Sequence, residues 1–204
     1  MNVLKVEMVD IDQNSPEWDE ARRGVITASC FSNIVQRTGK PSTQRKKYLY
    51  KLAAEVVSGY KVASYSNAIM ERGHEVEQEA RQAYSDATLN EIDHVGFCFM
   101  DESHRVGASP DGLVGEDGGV EIKCPDAHTH VEYLLSNKLP VKYLQQVQGS
   151  MYVTGRSWWN FVSYYPGLKP LILKVERDDK FIGLLDAEIT KSIDEMDKVI
   201  KAIR

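Results

Sequence analysis

The chain reads as an α/β (α+β mixed) protein, and three features of its pattern predict that class. Apolar residues recur at helical spacing through most of the first half. Short β-like segments separated by turn residues follow from Val95 to Lys123. Beyond them come a helical stretch, two strand-like runs and a charged amphipathic tail.

In chain order, Ser15-Pro16 forms a cap and first turn for a short helix over Glu17 to Arg22 that Gly24 ends. The spacing of Tyr48, Leu49, Leu52, Ala53 and Val56 predicts a helix from about Thr43 to Ser58, stopped by Gly59. A third helix is expected from Asn67 to about Asp86, with Ile69, Gly73, Val76, Ala80, Ala83 and Tyr84 on one side. Strands are expected at Val95 to Met100, Arg105 to Ser109, Gly112 to Val114 and Val120 to Lys123. A helix from Val141 to Thr154, strands near Trp158 to Tyr165 and Leu171 to Glu176, and a helix from Asp178 onward complete the pattern. With no repeat or Pro/Gly/Ser-rich linker, residues 1–204 are expected to form one domain, and the first few residues look loose.

Composition removes several function classes. The 204 residues are 42% hydrophobic and 27% charged, which supports one buried core. No apolar run approaches membrane-spanning length and no signal-like start is present, so a cytoplasmic protein is expected. Three scattered cysteines, Cys30, Cys98 and Cys124, provide neither a disulfide framework nor the four thiolates of an iron–sulfur cluster. Buried free thiols are the expectation. A net charge of −5 means that any contact with nucleic acid must be local.

Chemistry concentrates in Ser109-Pro110-Asp111-Gly112-Leu113 and, after a Gly-rich turn, Val120-Glu121-Ile122-Lys123-Cys124-Pro125. In a strand, residues two apart share a face, so Glu121 and Lys123 project together while Ile122 turns to an apolar side. Hairpin pairing would bring Asp111 near Glu121. Two carboxylates suit magnesium, which takes oxygen ligands and keeps several waters. A lysine beside such an ion can orient or deprotonate a water and stabilise charge on phosphorus. The bland alternative is an exposed hairpin with a Glu–Lys salt bridge and an ordinary Pro-Asp-Gly turn.

Pro110-Asp111 followed, ten positions after the aspartate, by Glu121-x-Lys123 resembles the restriction-endonuclease-like PD-(D/E)xK nuclease core, a central mixed β-sheet flanked by helices. Four further stretches, in order, resemble one branch of it, the phage lambda exonuclease or YqaJ-type viral recombinase family. Trp18-x-x-x-Arg22-x-Gly24-Val25-Ile26-Thr27-Ala28-Ser29 is similar to its N-terminal motif, which implies that Arg22 and Ser29 contact a terminal 5′ phosphate. Gly73-His74-Glu75-Val76-Glu77-Gln78-Glu79-Ala80 resembles its G-x-x-x-E-x-x-A helix. Spacing alone does not separate Glu77 from Glu75 and Glu79, and the motif assigns Glu77 to the acidic cluster. Ser109 matches a second phosphate-binding serine, and Gln146-Val147-Gln148-Gly149 matches a Q-x-Q helix that implies Gln146 lines the site.

The resemblance implies a 5′ to 3′ double-stranded DNA exonuclease dependent on magnesium, for which manganese can substitute. Asp111, Glu121 and the Ile122 carbonyl would hold the metal, and Glu77, Asp111, Glu121, Lys123 and Gln146 would be catalytic. It further implies a toroidal homotrimer acting on 5′-phosphorylated DNA ends, a single-strand annealing partner, and a phage or prophage protein working in bacterial cytoplasm. The alternatives are an endonuclease of the same superfamily and a non-catalytic DNA-end binding module. One departure stands out: the family's arginine after the Lys-Cys-Pro segment is replaced here by Ala127-His128-Thr129-His130. The two histidines diverge on a helix and are not a zinc pair, though either could meet a phosphate. Arg45-Lys46-Lys47, with Lys40, could touch a duplex backbone or be a solvated helix face, and Trp158 and Trp159 read as packing.

Overall fold

The computed structural model describes residues 6–62 and 68–204, and of residues 68–75 the backbone alone. The loose start, the helix opening at Asn67, and the side chains of Ile69 and Glu75 lie outside the described residues.

Among the described residues the strands assemble into two four-stranded mixed sheets rather than one central sheet. The first contains β1 (Glu7–Val9), β3 (Phe97–Phe99), β4 (Val106–Ala108) and β2 (Ile26–Thr27), in that order. The second runs β5 (Gly112–Val114), β6 (Gly118–Lys123), β7 (Trp158–Ser163) and β8 (Leu171–Glu176). Ser109-Pro110-Asp111 carries the chain from β4 to β5, and Pro110, lacking an N–H, cannot continue a ladder there. An isolated antiparallel bridge pairs Asp93, in the loop before β3, with Leu113 of β5. The parallel β6–β7 pair is closed by a crossover containing α4 (Ala127–Ser136) and α5 (Leu144–Thr154).

Helix ends follow local chemistry. Ser15 accepts a hydrogen bond from the Trp18 N–H (3.1 Å) to start α1 (Pro16–Ala21). Gly59, at φ 76°, ends α2 (Arg45–Ser58) in the left-handed conformation. Asp178 caps α6 (Asp179–Ile203) through the Phe181 N–H (2.9 Å). α3 spans Ala68–Thr88. β1, β2 and α4 are additions to the sequence expectation. The first two are too short to show an alternation. The third is announced only by Asp126, which accepts from the Thr129 N–H at 3.1 Å.

The second sheet is covered on both faces. α3 packs Ala80 and Tyr84 against Val114, Val120, Ile122 and Val162. On the other face Trp159 and Phe161 join the main core with Val147 and Met151 of α5 and Leu185, Ile189 and Met196 of α6. Gly149 lets α5 approach closely, since a Cβ there would stand 2.4 Å from the Phe31 ring. Because α5 is buried nearly all round, its polar groups find internal partners: Gln148 donates to the Glu176 carbonyl (2.9 Å) and accepts from the Asp178 N–H (2.8 Å). Arg45 is buried rather than solvated or facing a ligand, because α6 brings Glu188 (2.5 Å) and Glu195 (2.8 Å) to its guanidinium. No helix among the described residues is long and apolar enough to cross a membrane.

Candidate active site

The β5–β6 hairpin pairs Gly112 with Val120, Leu113 with Gly119 and Val114 with Gly118. One step further in the same register sets Asp111 opposite Glu121. The turn is held by Arg156, whose Nη1 donates to the carbonyls of Gly115 and Gly118, each at 2.7 Å. Glu121 and Lys123 share the face that looks away from α3, while Ile122 is buried among the residues beneath that helix. Asp111 Oδ2 accepts from the Ile122 backbone N–H at 2.5 Å, so one carboxylate is clipped to the strand between the other two polar residues.

Charge in this corner is crowded and little solvated. Glu121 is almost wholly buried, and its Oε1 pairs with the Lys123 ammonium and accepts from Gln146 Nε2 at 2.5 Å. Its Oε2 is buried with no hydrogen-bond partner among the described residues. Burial, followed by the Glu121 charge, pushes the Asp111 carboxyl up to about 7, with Glu77 adding in the same direction and Lys123 opposing. Burial alone would pull the Lys123 ammonium down, but Glu121 and Asp111 override it and hold Lys123 above the usual lysine range. The Lys123 Nζ also stands 5.7 Å from the Tyr143 ring centroid.

The charge of Glu77 on α3 reaches Asp111, and its carboxylate is also paired with Arg81 at 2.8 Å. Glu79 turns instead to the Tyr164 hydroxyl (3.3 Å) on an exposed side of the helix.

This donor set fits a hard divalent cation. Two acids converge on one strand position, burial and then the charge of Glu121 raise Asp111 to about 7, and a buried Glu121 oxygen lacks a partner among the described residues. Among the described residues no three His, Cys, Asp or Glu side chains cluster closely enough to chelate unaided. A backbone carbonyl such as that of Ile122, together with water or substrate oxygens, would have to complete the shell, as magnesium sites commonly allow.

A second cluster lies at the other end of Ser109-Pro110-Asp111. Arg22 Nη1 and Trp18 Nε1 both donate to Ser109 Oγ, at 2.8 and 3.0 Å. With both lone pairs engaged, the Ser109 hydroxyl proton is left to donate outward. The Arg22 guanidinium lies 3.9 Å over the Trp18 ring, and it makes no ion pair among the described residues. Burial pulls its pKa down, the cost of holding an unpaired cation away from water. Such a fork, beside a hydroxyl donor, suits a phosphate. Ser29 lies inside the 3₁₀ helix Ala28–Asn33; it hydrogen-bonds Thr27 Oγ1 (3.3 Å) and is not joined to Arg22 or Ser109 by a described bond.

His130 is wholly buried, with Nδ1 at 2.8 Å from Ser163 Oγ and Nε2 at 3.1 Å from the Lys169 carbonyl, so it cannot meet a phosphate. His128 is exposed beside Asp126 (3.3 Å).

Residues 17–157 match the YqaJ-like viral recombinase domain. The chain belongs to this family. The matched stretch runs from the Trp18 cluster through the hairpin to Gln146. Similarity extends over almost the full chain to the alkaline exonuclease LHK-Exo of Laribacter hongkongensis, 34% identical, covering 93% of this chain and 96% of that one, with a TM-score of 0.84. The same enzyme in complex with dAMP matches equally well. A phage-related exonuclease from Haemophilus somnus 129PT, 15% identical over 88% of this chain and 96% of its own, shares the fold with a TM-score of 0.68. A stretch of 64 residues is 34% identical to the Escherichia coli K12 protein ExoD, 30% of this chain and 74% of that one. As a YqaJ-like recombinase with this similarity to LHK-Exo, the chain is an enzyme, a hydrolytic deoxyribonuclease.

Three residues of this YqaJ-like site escape a reading of the sequence. Tyr143 stands one helical turn before Gln146, a spacing that could have flagged it. Trp18 was legible as part of a motif but not as the platform under Arg22. Gln13, whose Nε2 donates to the carbonyls of Val95 (3.1 Å) and Pro110 (2.8 Å), anchors the segment between the two clusters, and nothing local announces it.

Proposed function

We propose that the protein is a Mg²⁺-dependent 5′ to 3′ double-stranded DNA exonuclease. It resects one strand to 5′ mononucleotides and leaves a 3′ single strand for phage-type recombination by single-strand annealing. The observation that carries this reading is Asp111 facing Glu121 across the hairpin, with Lys123 and Gln146 both on Glu121. Asp111, Glu121 and the Ile122 carbonyl would hold the magnesium. When bound, the ion polarises the scissile phosphate and offsets the charge that builds on it.

The chain's own residues do the rest. Lys123, kept as an ammonium by its two carboxylate neighbours, donates to the attacking water or to the phosphate oxygens and stabilises charge there. Glu77 orients that water and receives its proton. Gln146 fixes one Glu121 oxygen, leaving the other directed to the cation. Arg22 and Ser109, with Ser29 seven residues after Arg22, bind the 5′ phosphate and so set the distance from the strand end to the cut. The similarity to LHK-Exo, an enzyme also solved with the mononucleotide dAMP, supports an exonuclease releasing mononucleotides. Family membership supports a ring-shaped homotrimer around the duplex and an annealing partner.

The test is digestion of linear duplex DNA, 5′-phosphorylated or 5′-hydroxyl, with Mg²⁺, Mn²⁺ or EDTA, using wild type and Lys123→Ala. Metal-dependent mononucleotides from the 5′-phosphorylated strand, absent in the variant, are expected. Cutting of closed circles would replace the proposal with an endonuclease, and binding without cleavage would replace it with an end-binding module.

A further inference from the structure

Resting on that reading, the side of the cleavage cluster formed by the start of α5 carries a cation that no part of the mechanism uses. Lys142 lies in the 3₁₀ turn Val141–Tyr143 that leads into α5, four residues before Gln146. It is exposed, yet its ammonium is parked over two aromatic rings, 5.0 Å from the Tyr143 centroid and 5.7 Å from that of Tyr133. The same Tyr143 ring lies 5.7 Å from the Lys123 Nζ, so a single ring lies within reach of both cations.

The neighbours of Lys142 explain why its charge is available. Among the described residues it makes no ion pair, whereas its neighbour across the Tyr143 ring, Lys123, is paired with Glu121. An exposed lysine ordinarily samples many rotamers, and losing them on binding costs free energy. Two rings that hold the ammonium in one place lower that cost, and they do so without neutralising it. Tyr133 presents its ring from α4, one turn beyond Thr129, so the Lys142 ammonium lies beside a helix that carries no lysine or arginine.

We propose that Lys142 is a DNA-binding residue that takes a backbone phosphate of the substrate strand beside the scissile one, held ready by Tyr133 and Tyr143. Its contact is to phosphate and not to a base, since an ammonium on a flexible stem is a point charge without bidentate geometry. It therefore supplies affinity without sequence preference.

The experiment uses the full chain and a fluorescent linear duplex, comparing wild type, Lys142→Gln and Lys142→Arg. Steady-state digestion in Mg²⁺ is measured alongside equilibrium binding in EDTA across a series of salt concentrations. Lys142→Gln is expected to raise KM by roughly three- to fivefold, with the change on KM larger than on kcat. It is also expected to flatten the slope of log affinity against log salt by about 1, the loss of one phosphate contact. Lys142→Arg, which keeps the charge, should retain the wild-type slope. An unchanged slope and KM in Lys142→Gln overturns the proposal, as does an equal loss in both variants. If wild type fails to cleave DNA at all, the nuclease reading fails instead, and the binding slopes in EDTA still decide the role of Lys142.

Discussion

Asp111 faces Glu121 across the β5–β6 hairpin, and its carboxylate accepts a 2.5 Å hydrogen bond from the backbone N–H of Ile122, the next residue along. The relationship places two like charges at one strand position. Burial and Glu121 together push Asp111 up to about 7, so the folded protein holds a proton there that the unfolded chain releases near pH 4. Without metal, the stability contributed by this group is therefore present below about pH 4 and is lost as pH rises through about 7. Asp111→Asn, which keeps an acceptor for Ile122, should raise the stability of the metal-free protein at pH 8 by on the order of 1–2 kcal/mol, read by denaturant melts. A destabilised Asp111→Asn would refute the repulsion.

The same proton competes with a cation. In wild type, the rise in Tm produced by Mg²⁺ or Mn²⁺ should grow between pH 5.5 and pH 8, because the metal must displace it. Thermal melts across that range check this, and a pH-independent metal effect would place the cation elsewhere.

Gln146 holds Glu121 by one oxygen and adds no charge. Gln146→Ala should lower turnover on linear duplex DNA by about ten- to a hundredfold, the usual effect of removing a partner that orients a metal ligand. DNA binding in EDTA should survive. A variant with wild-type turnover would show that Glu121 needs no such partner.

Trp18 supports Arg22 from below and shares with it the Ser109 hydroxyl. Arg22→Ala is predicted to remove the preference for 5′-phosphorylated over 5′-hydroxyl ends, and Trp18→Ala to reduce it by roughly three- to tenfold. Trp18→Phe, keeping a ring but not the indole N–H, should fall between. Rates on paired substrates supply the ratio, and an unaltered ratio in Trp18→Ala would limit the ring to packing.

Arg45 is buried between α2 and α6, where its two carboxylate partners come from a helix far along the chain. Arg45→Ala leaves Glu188 with Lys191 (2.6 Å) as its remaining cation and should cost about 2–3 kcal/mol, a Tm decrease of about 5–10 °C. Arg45→Met combined with Glu188→Leu should recover much of that loss. Calorimetry of the single and double variants separates the two outcomes, and a harmless Arg45→Ala would return the residue to the solvated face.

Whatever depends on short separations was legible in the sequence. A period of two placed Glu121 with Lys123 and Ile122 against them, and a Gly-rich turn brought Asp111 back to Glu121, because hairpin geometry follows from a few consecutive residues. Ser15, Gly59 and the apolar spacing of α2 likewise announced their own helix ends. Tertiary structure alone decided the rest. The motif names Glu77, but that its charge reaches Asp111 while Glu79 turns to Tyr164 depends on how α3 is rotated over the second sheet, which a charge-rich helix does not state. The meeting of Arg22 with Ser109, and of Gln146 with Glu121, spans long stretches of chain and depends on where α1 and α5 dock. His130 is a core residue because β7 presents Ser163 beneath it, and Arg45 is buried because α6 returns across α2. Local propensity is fixed by neighbours in sequence, whereas the approach of distant side chains is settled only by the packing of whole elements, and the division of charge at this site belongs to the second kind.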